Sequence, residues 1–199
     1  LFYQLNKRHK KLGVVFYWPL IMPPIVVGFA FLAFWSGSGF FSRLLYGLGL
    51  VEQASDFPDI ANGRAGVGIL FAHLFLAVPF FTINLRNVYQ VNRIGEMRQL
   101  AISMGASKIQ SILTVELPII IQKMKGVLLL YFIFMLGAYE IPLLLGAESQ
   151  RMLSIVVLDK LTRFDIMAKP QAYAMASLYL LIIAAGVYAL LKPNQKSAA

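Results

Sequence analysis

The chain has 199 residues, of which 59% are hydrophobic and 14% charged, with a net charge of +9 at pH 7. Soluble domains carry about a quarter charged residues, so this composition excludes an ordinary soluble domain and indicates a protein that crosses a membrane several times. The sequence contains no cysteine, which excludes disulfides, thiolate catalysis and zinc–sulfur sites. In such a protein the excess positive charge indicates topology-setting loops rather than nucleic-acid binding.

Four apolar runs predict four transmembrane helices, and therefore an all-α polytopic membrane protein. In chain order they are residues 13–35, 66–85, 126–146 and 172–191. Each run is long enough, at the rise of an α-helix, to cross a bilayer. Because Leu1 begins what looks like the tail of another apolar segment, we expect at least one further span before it.

The distribution of Lys and Arg predicts which way the spans run. The stretch before the first run, the connection between the second and third runs and the tail together contain twelve Lys and Arg residues. The two other connections contain six, balanced by six acids. The positive-inside rule therefore places the connection between the second and third runs in the cytoplasm.

That central connection contains a segment, residues 93–118, with a regular apolar period but no membrane-spanning pattern. The period predicts two short amphipathic helices bent at Gly105, where a helix favours a left-handed closing residue. Ser107 followed by Gln110 three residues later predicts a capping box at the start of the second helix. Glu116 interrupts the apolar stripe of that second helix.

The segment resembles the EAA loop of binding-protein-dependent ABC transporter permeases, whose pattern is Glu-Ala-Ala, three residues, Gly, nine residues, Ile, one residue, Leu-Pro. Here Gln99-Leu100-Ala101, Gly105 and Val115-Glu116-Leu117-Pro118 keep every interval. Gln99 stands where the family has an acid, and Leu100 where it has alanine. The run 136–146 resembles the family's span after the loop. It is most similar to the branch carrying polyamines, sulfate, molybdate, ferric iron and thiamine.

The resemblance implies one transmembrane permease domain over residues 1–199, multi-pass in the bacterial inner membrane. It implies that segment 93–118 docks in a groove of a cytoplasmic ATP-binding subunit, present in two copies, and transmits its closure to the spans. A second permease subunit, identical or similar, and a periplasmic or extracellular solute-binding protein would complete the assembly. The implied coupling residues are Gln99, Leu100, Ala101, Ser103, Met104, Gly105, Ala106 and Pro118.

The sequence has no Gly-x-x-x-x-Gly-Lys-Ser/Thr phosphate-binding loop, so we expect a partner chain to hydrolyse ATP and this chain to be a transport subunit, not an enzyme. Two alternatives remain for the whole protein: an ATP-independent secondary transporter or channel, and a membrane-embedded enzyme. For the central segment the alternative is an amphipathic helix lying on the membrane surface, flanked by Arg93, Arg98 and Lys108.

Glu140 is the one acid within a predicted span, which indicates a residue facing a cavity or a partner. It is a candidate for the transport pathway together with Tyr139 and Phe134. The alternative is a structural contact between helices. His73 is predicted to be a buried packing residue, and neither a metal site nor a cofactor is expected. The substrate would be a small polar or charged solute of the polyamine, thiamine, iron or oxyanion class, and Glu140 mildly favours a cation.

Overall fold

Helices make up almost all of the regular structure. The computed structural model describes residues 17–53, 56–63, 66–146 and 152–191, and within these ranges there is no β-strand. In chain order the elements are a 3-10 turn Trp18–Ile21, α1 Pro24–Trp35, α2 Phe40–Gly47, α3 Val67–Val91, α4 Ile94–Ser103, α5 Lys108–Ser111, a π-helical turn Ile112–Glu116, α6 Leu117–Gly137, α7 Glu140–Leu145, α8 Leu153–Thr162 and α9 Ala168–Leu191.

Four helical segments in the described ranges are long and apolar enough to cross a membrane. They are Pro24–Gly47, which combines α1 and α2, then Val67–Val91, Lys108–Gly137 and Ala168–Tyr188. This confirms the predicted all-α polytopic membrane protein with four spans.

The first span begins at a proline, and the second begins directly after a glycine with a left-handed backbone. Pro24 opens α1, where its fixed φ is already helical and its missing N–H would have had no intrahelical partner. Part of the predicted run 13–35 lies outside the described residues. Gly66, with φ of 65°, precedes α3, which continues beyond the predicted end of the run 66–85.

The third span differs from the predicted run 126–146. Helical structure is continuous over Lys108–Gly137, so the second half of segment 93–118 and this span form one uninterrupted helical stretch, longer than a bilayer requires. The helix ends at Gly137, and Glu140 opens the separate six-residue helix α7. Glu140 therefore follows the third span instead of lying within it.

Pro142 explains this break between α6 and α7. A continuous helix would need the residue four after Ala138 to donate to the Ala138 carbonyl, and Pro142 has no N–H. The Ser154 hydroxyl donates to that carbonyl instead, at 2.8 Å. The Tyr179 hydroxyl of α9 donates to the carbonyl of Leu136 at 2.6 Å. Unpaired carbonyls cost several kcal/mol in a bilayer, so these side chains stabilise the break.

Helix α7 packs against α1 and α3, and its residues Ile141 and Leu145 are almost fully buried. Gly28 permits the close approach, because a Cβ atom at this position would lie 3.2 Å from Leu144 Cδ1. Further along the chain, α8 packs against α9. The buried apolar residues shared by α1, α3, α7 and the loop before α3 are Val27, Ala61, Ala72, Ile141 and Leu145.

Candidate functional site

Helix α4 lies in the connection between the second and third spans. Its first residue is buried, and the side chains toward its other end are exposed. Ile94, its first residue, is fully buried. Gly95 faces the ring of Tyr89, with a virtual Cβ 3.4 Å from Cε1. Toward the other end, Leu100 is 65% exposed and Met104 81% exposed. The helix therefore packs against the end of α3 at its beginning, lies against the π-helical turn and α5, and exposes one side toward its end.

The bend after α4 is a Schellman motif centred on Gly105. The N–H of Gly105 donates to the Ile102 carbonyl and the N–H of Ala106 to the Ala101 carbonyl, both at 3.0 Å. This pair of bonds requires a residue with positive φ between them, and Gly105 has φ of 95°. The prediction of a left-handed closing glycine is confirmed.

The capping box that begins α5 is also present as predicted. Gln110 N–H donates to Ser107 Oγ at 3.2 Å, and Ser107 N–H donates to Gln110 Oε1 at 2.9 Å. These bonds satisfy donors that a helix start leaves free. Two consecutive local motifs thus fix the path of the chain from α4 into α5.

A π-helical turn, Ile112–Glu116, separates the capping box from α6. The Leu117 N–H donates to the Ile112 carbonyl, five residues back. Pro118, which follows, has no N–H for the Thr114 carbonyl, so it cannot continue the α-helical ladder there. The wider turn inserts one extra residue and changes the direction in which Glu116 projects.

Glu116 forms an ionic cluster that the sequence did not reveal. Arg98 Nη1 donates to Glu116 Oε1 at 3.3 Å, and the Tyr89 hydroxyl donates to the same oxygen at 3.0 Å. Glu116 is a buried residue. Its interruption of the apolar stripe was the only available signal, because nothing in the sequence identifies residues from α3 and α4 as its partners.

The exposed apolar side of α4 is formed by Met97, Leu100 and Met104, which recur at helical spacing, and we call it the α4 face. Three and four residues separate them, so they lie on one side of the helix. After the bend, Ile109 and Leu113 are also exposed. An apolar side of this kind fits a groove on a partner, as anchors at i, i+3 and i+7 do.

The predicted coupling residues lie mostly at the surface of this bend. Ala101 and Ala106 are half-buried, and Ser103 donates its hydroxyl to the Gln99 carbonyl at 3.0 Å. Gln99, Leu100, Ser103, Met104, Gly105 and Pro118 are exposed. All eight residues thus belong to α4, the bend after it or the start of α6.

The pathway candidates are only partly brought together. Tyr139 and Glu140 are neighbours at the break between α6 and α7. Glu140 Oε2 is buried without a hydrogen-bond partner among the described residues. Phe134 lies in α6, where its ring is 6.0 Å from that of Tyr131. His73 is buried and bonds through Nδ1 to the Ile69 carbonyl at 2.8 Å, which confirms the predicted packing role.

Comparison with known proteins gives a partial similarity. The probable ABC transporter permease protein y4fN of Sinorhizobium fredii (strain NBRC 101917 / NGR234) is 35% identical to this chain over 103 residues. The matched stretch is 51% of this chain but only 18% of that relative. No family model and no solved structure matches the chain.

Proposed function

We propose that this chain forms the permease part of an ATP-driven ABC uptake transporter of the bacterial inner membrane. The observation that carries the proposal is the bend at Gly105, which two local motifs fix between two spans while the α4 face stays exposed. The similarity to a probable ABC transporter permease supports the same function. The chain would transport a solute without hydrolysing ATP itself.

The α4 face is the proposed docking surface for a cytoplasmic ATP-binding subunit, two copies of which would serve a pair of permease subunits. The positive-inside rule supports a cytoplasmic location, because residues 86–125, which run from the last turns of α3 through α4 into the first turns of α6, contain six Lys and Arg residues. Gln99 replaces the acid of the related motif with a neutral amide, whose hydrogen bonds are weaker than those of a carboxylate. The apolar contact through Leu100 and Met104 would therefore dominate this interface.

The remaining partners follow from the same proposal. A second permease, identical or similar, would pack beside this one, and a periplasmic or extracellular solute-binding protein would deliver the solute. The pathway would include the break at Tyr139 and Glu140, with Phe134 nearby in α6. The solute would be a polyamine, thiamine, iron or oxyanion. Glu140 Oε2, which is buried and has no hydrogen-bond partner within the described ranges, favours a cation among these.

Co-purification with the ATP-binding subunit of the same transporter tests this function. Leu100→Glu places a charge in the proposed groove, so we expect it to weaken binding by about 2 kcal/mol, roughly thirty-fold. Ile166→Glu is the matched control, because Ile166 is equally apolar and 81% exposed but lies between α8 and α9. It should leave the complex intact.

Two results would contradict the proposal. The ATP-binding subunit would fail to co-purify with the unaltered protein if the chain were a secondary transporter or channel. Equal retention of that subunit by Leu100→Glu and Ile166→Glu would mean that the α4 face does not dock it, as expected for a helix lying on the membrane surface. Uptake in vesicles that requires ATP would in turn exclude the ATP-independent alternative.

A further inference from the structure

Three side chains from three different helical elements meet beside the middle of α4. Tyr89 comes from the last turns of α3, Arg98 from the middle of α4 and Glu116 from the π-helical turn. Both donors reach the same carboxylate oxygen, at 3.0 Å from the Tyr89 hydroxyl and 3.3 Å from Arg98 Nη1. The side chains of Arg98 and Glu116 are 33% and 12% exposed, so the pair is only partly accessible to water.

The cluster lies between the buried beginning of α4 and its more exposed end. Ile94 and Gly95 attach the beginning of the helix to the end of α3. Leu100 and Met104, beyond Arg98, are exposed and available to a partner. A displacement of the exposed end of α4 would therefore carry Arg98 with it.

The carboxylate that Arg98 contacts belongs to a part of the chain that can deform locally. Glu116 is the last residue of the π-helical turn, a local departure from the α-helical pattern of a kind that is frequent at functional sites. Pro118 removes one further bond immediately afterwards. A change in the position of Glu116 would thus alter the angle at which α6 leaves the bend, without unfolding the helix on either side.

The geometry points to Arg98, Glu116 and Tyr89 as the joint through which a displacement of α4 reaches the second and third spans together. Arg98 and Glu116 are positioning residues: they contact neither ATP nor solute, but they fix α4 against α3 and α6 at once. This inference rests on the proposed docking of an ATP-binding subunit at the α4 face. The interface would connect the ATP-binding subunit to α4, and the joint would connect α4 to the second and third spans inside the permease.

A partly buried ion pair is a poor source of stability but a good means of fixing one arrangement. The desolvation of two charges offsets most of their attraction, and a pair of apolar residues would pack at no greater cost. Removing one partner, in contrast, leaves a charge buried without compensation. Separating Arg98 from Glu116 is therefore unfavourable, so a movement of one residue carries the other with it. Such a pair is suited to transmitting a movement from α4 to the π-helical turn.

Transport by the reconstituted complex tests the joint. The assay contains the full-length protein, its ATP-binding subunit and its solute-binding protein in vesicles, and it records solute taken up per ATP hydrolysed. We expect Arg98→Glu, Glu116→Arg and the milder Glu116→Gln to lower this ratio by about ten-fold. Tyr89→Phe, which loses one of the two donors and keeps the ring against Gly95, should lower it less.

The double variant Arg98→Glu with Glu116→Arg provides the decisive rescue. It restores opposite charges at the same two positions, so the ratio should return to within about three-fold of the unaltered protein. The control is the pair Arg93–Glu96, whose atoms are 3.8 Å apart and whose side chains are 76% and 72% exposed. Glu96→Gln should leave the ratio unchanged, because an exposed pair contributes little.

The outcomes separate a joint from a merely structural contact. A structural role would lower the melting temperature of the complex and reduce uptake and ATP hydrolysis in proportion, leaving their ratio unchanged. That result would overturn the inference, as would a double variant that stays uncoupled while it forms an intact complex.

Loss of the ATP-binding subunit from the unaltered protein would refute the proposed function. If Glu116→Gln takes up a normal amount of solute per ATP hydrolysed while Leu100→Glu abolishes docking, the joint is refuted and the proposed function stands.

Discussion

Gly105 shows how a single residue fixes the direction of a whole element. Its φ of 95° lies in a region that residues with a Cβ atom rarely adopt. Yet among the residues that the structure describes, none except its two chain neighbours comes within 4 Å of the place that a Cβ would occupy. Backbone conformation, not lack of space, therefore requires glycine here. The bend and the orientation of the α4 face depend on this one conformation.

Replacing Gly105 by valine should disturb the bend through strain alone. We expect a destabilisation of about 1–3 kcal/mol, the usual cost of such a conformation for a residue with a side chain. Uptake in vesicles should fall while ATP hydrolysis continues, because a displaced α4 would no longer transmit movement. Thermal unfolding and solute uptake measure the two effects.

Gly105→Asn is the matched control, since asparagine adopts left-handed conformations more readily than valine. It should retain more of both the stability and the uptake. Equal effects of the two substitutions would contradict the strain argument, and unchanged uptake in Gly105→Val would contradict a coupling role for the bend.

Local motifs were predictable from the sequence because each depends on residues a few positions apart. Gly105 and the pair Ser107 and Gln110 needed only the chain itself, and the structure confirms both. The contact of Glu116 with Arg98 and Tyr89 was not predictable, because it requires knowing how α3, α4 and the π-helical turn approach one another in space. The sequence carried only the signal of one acid in an apolar stripe.

At the level of elements, the third span shows that hydropathy alone does not predict where a helix ends. Residues on both sides of Gly137 are apolar, so a hydropathy pattern continues through the break between α6 and α7. What ends the helix is a missing donor at Pro142, and what makes the break tolerable is the pair of hydroxyl groups from Ser154 and Tyr179. Apolarity predicts a membrane-embedded segment but not whether its helix is continuous.

Glu140 lies directly after this break, and its buried Oε2 offers a test of the pathway. Glu140→Gln keeps the shape and removes the charge, which weakens a hydrogen bond to a cation by about 1–2 kcal/mol. We therefore expect the KM for uptake of a cationic solute to rise about ten-fold. ATP hydrolysis should still be coupled to the uptake that remains.

Ser154→Ala is the control for this experiment, because it loosens the break without removing the carboxylate. It should lower the thermal stability and leave the KM nearly unchanged. If Glu140→Gln lowers the melting temperature and does not alter the KM, the carboxylate has a structural role. A lower KM for an anionic solute would contradict the expected cation.

At the scale of the whole molecule, the four spans are unevenly packed. The first and second enclose α7, whereas few residues of the third and fourth spans are buried. Apolar helices with so little internal contact can lie against lipid or against another membrane chain. This asymmetry is compatible with the proposed second permease subunit, which would cover part of the exposed surface.

The orientation of the whole chain can be tested directly, because its sequence contains no cysteine. In a full-length protein without other thiols, Leu100→Cys and Ile166→Cys each introduce one exposed thiol, at the α4 face and between α8 and α9. Because one span, Lys108–Gly137, separates the two positions, they should lie on opposite sides of the membrane, and we expect opposite labelling. A membrane-impermeant maleimide should label Ile166→Cys in intact spheroplasts and Leu100→Cys only in inside-out vesicles. The reverse pattern would place the α4 face outside, where no ATP-binding subunit could reach it, and would contradict both the charge argument and the proposed docking.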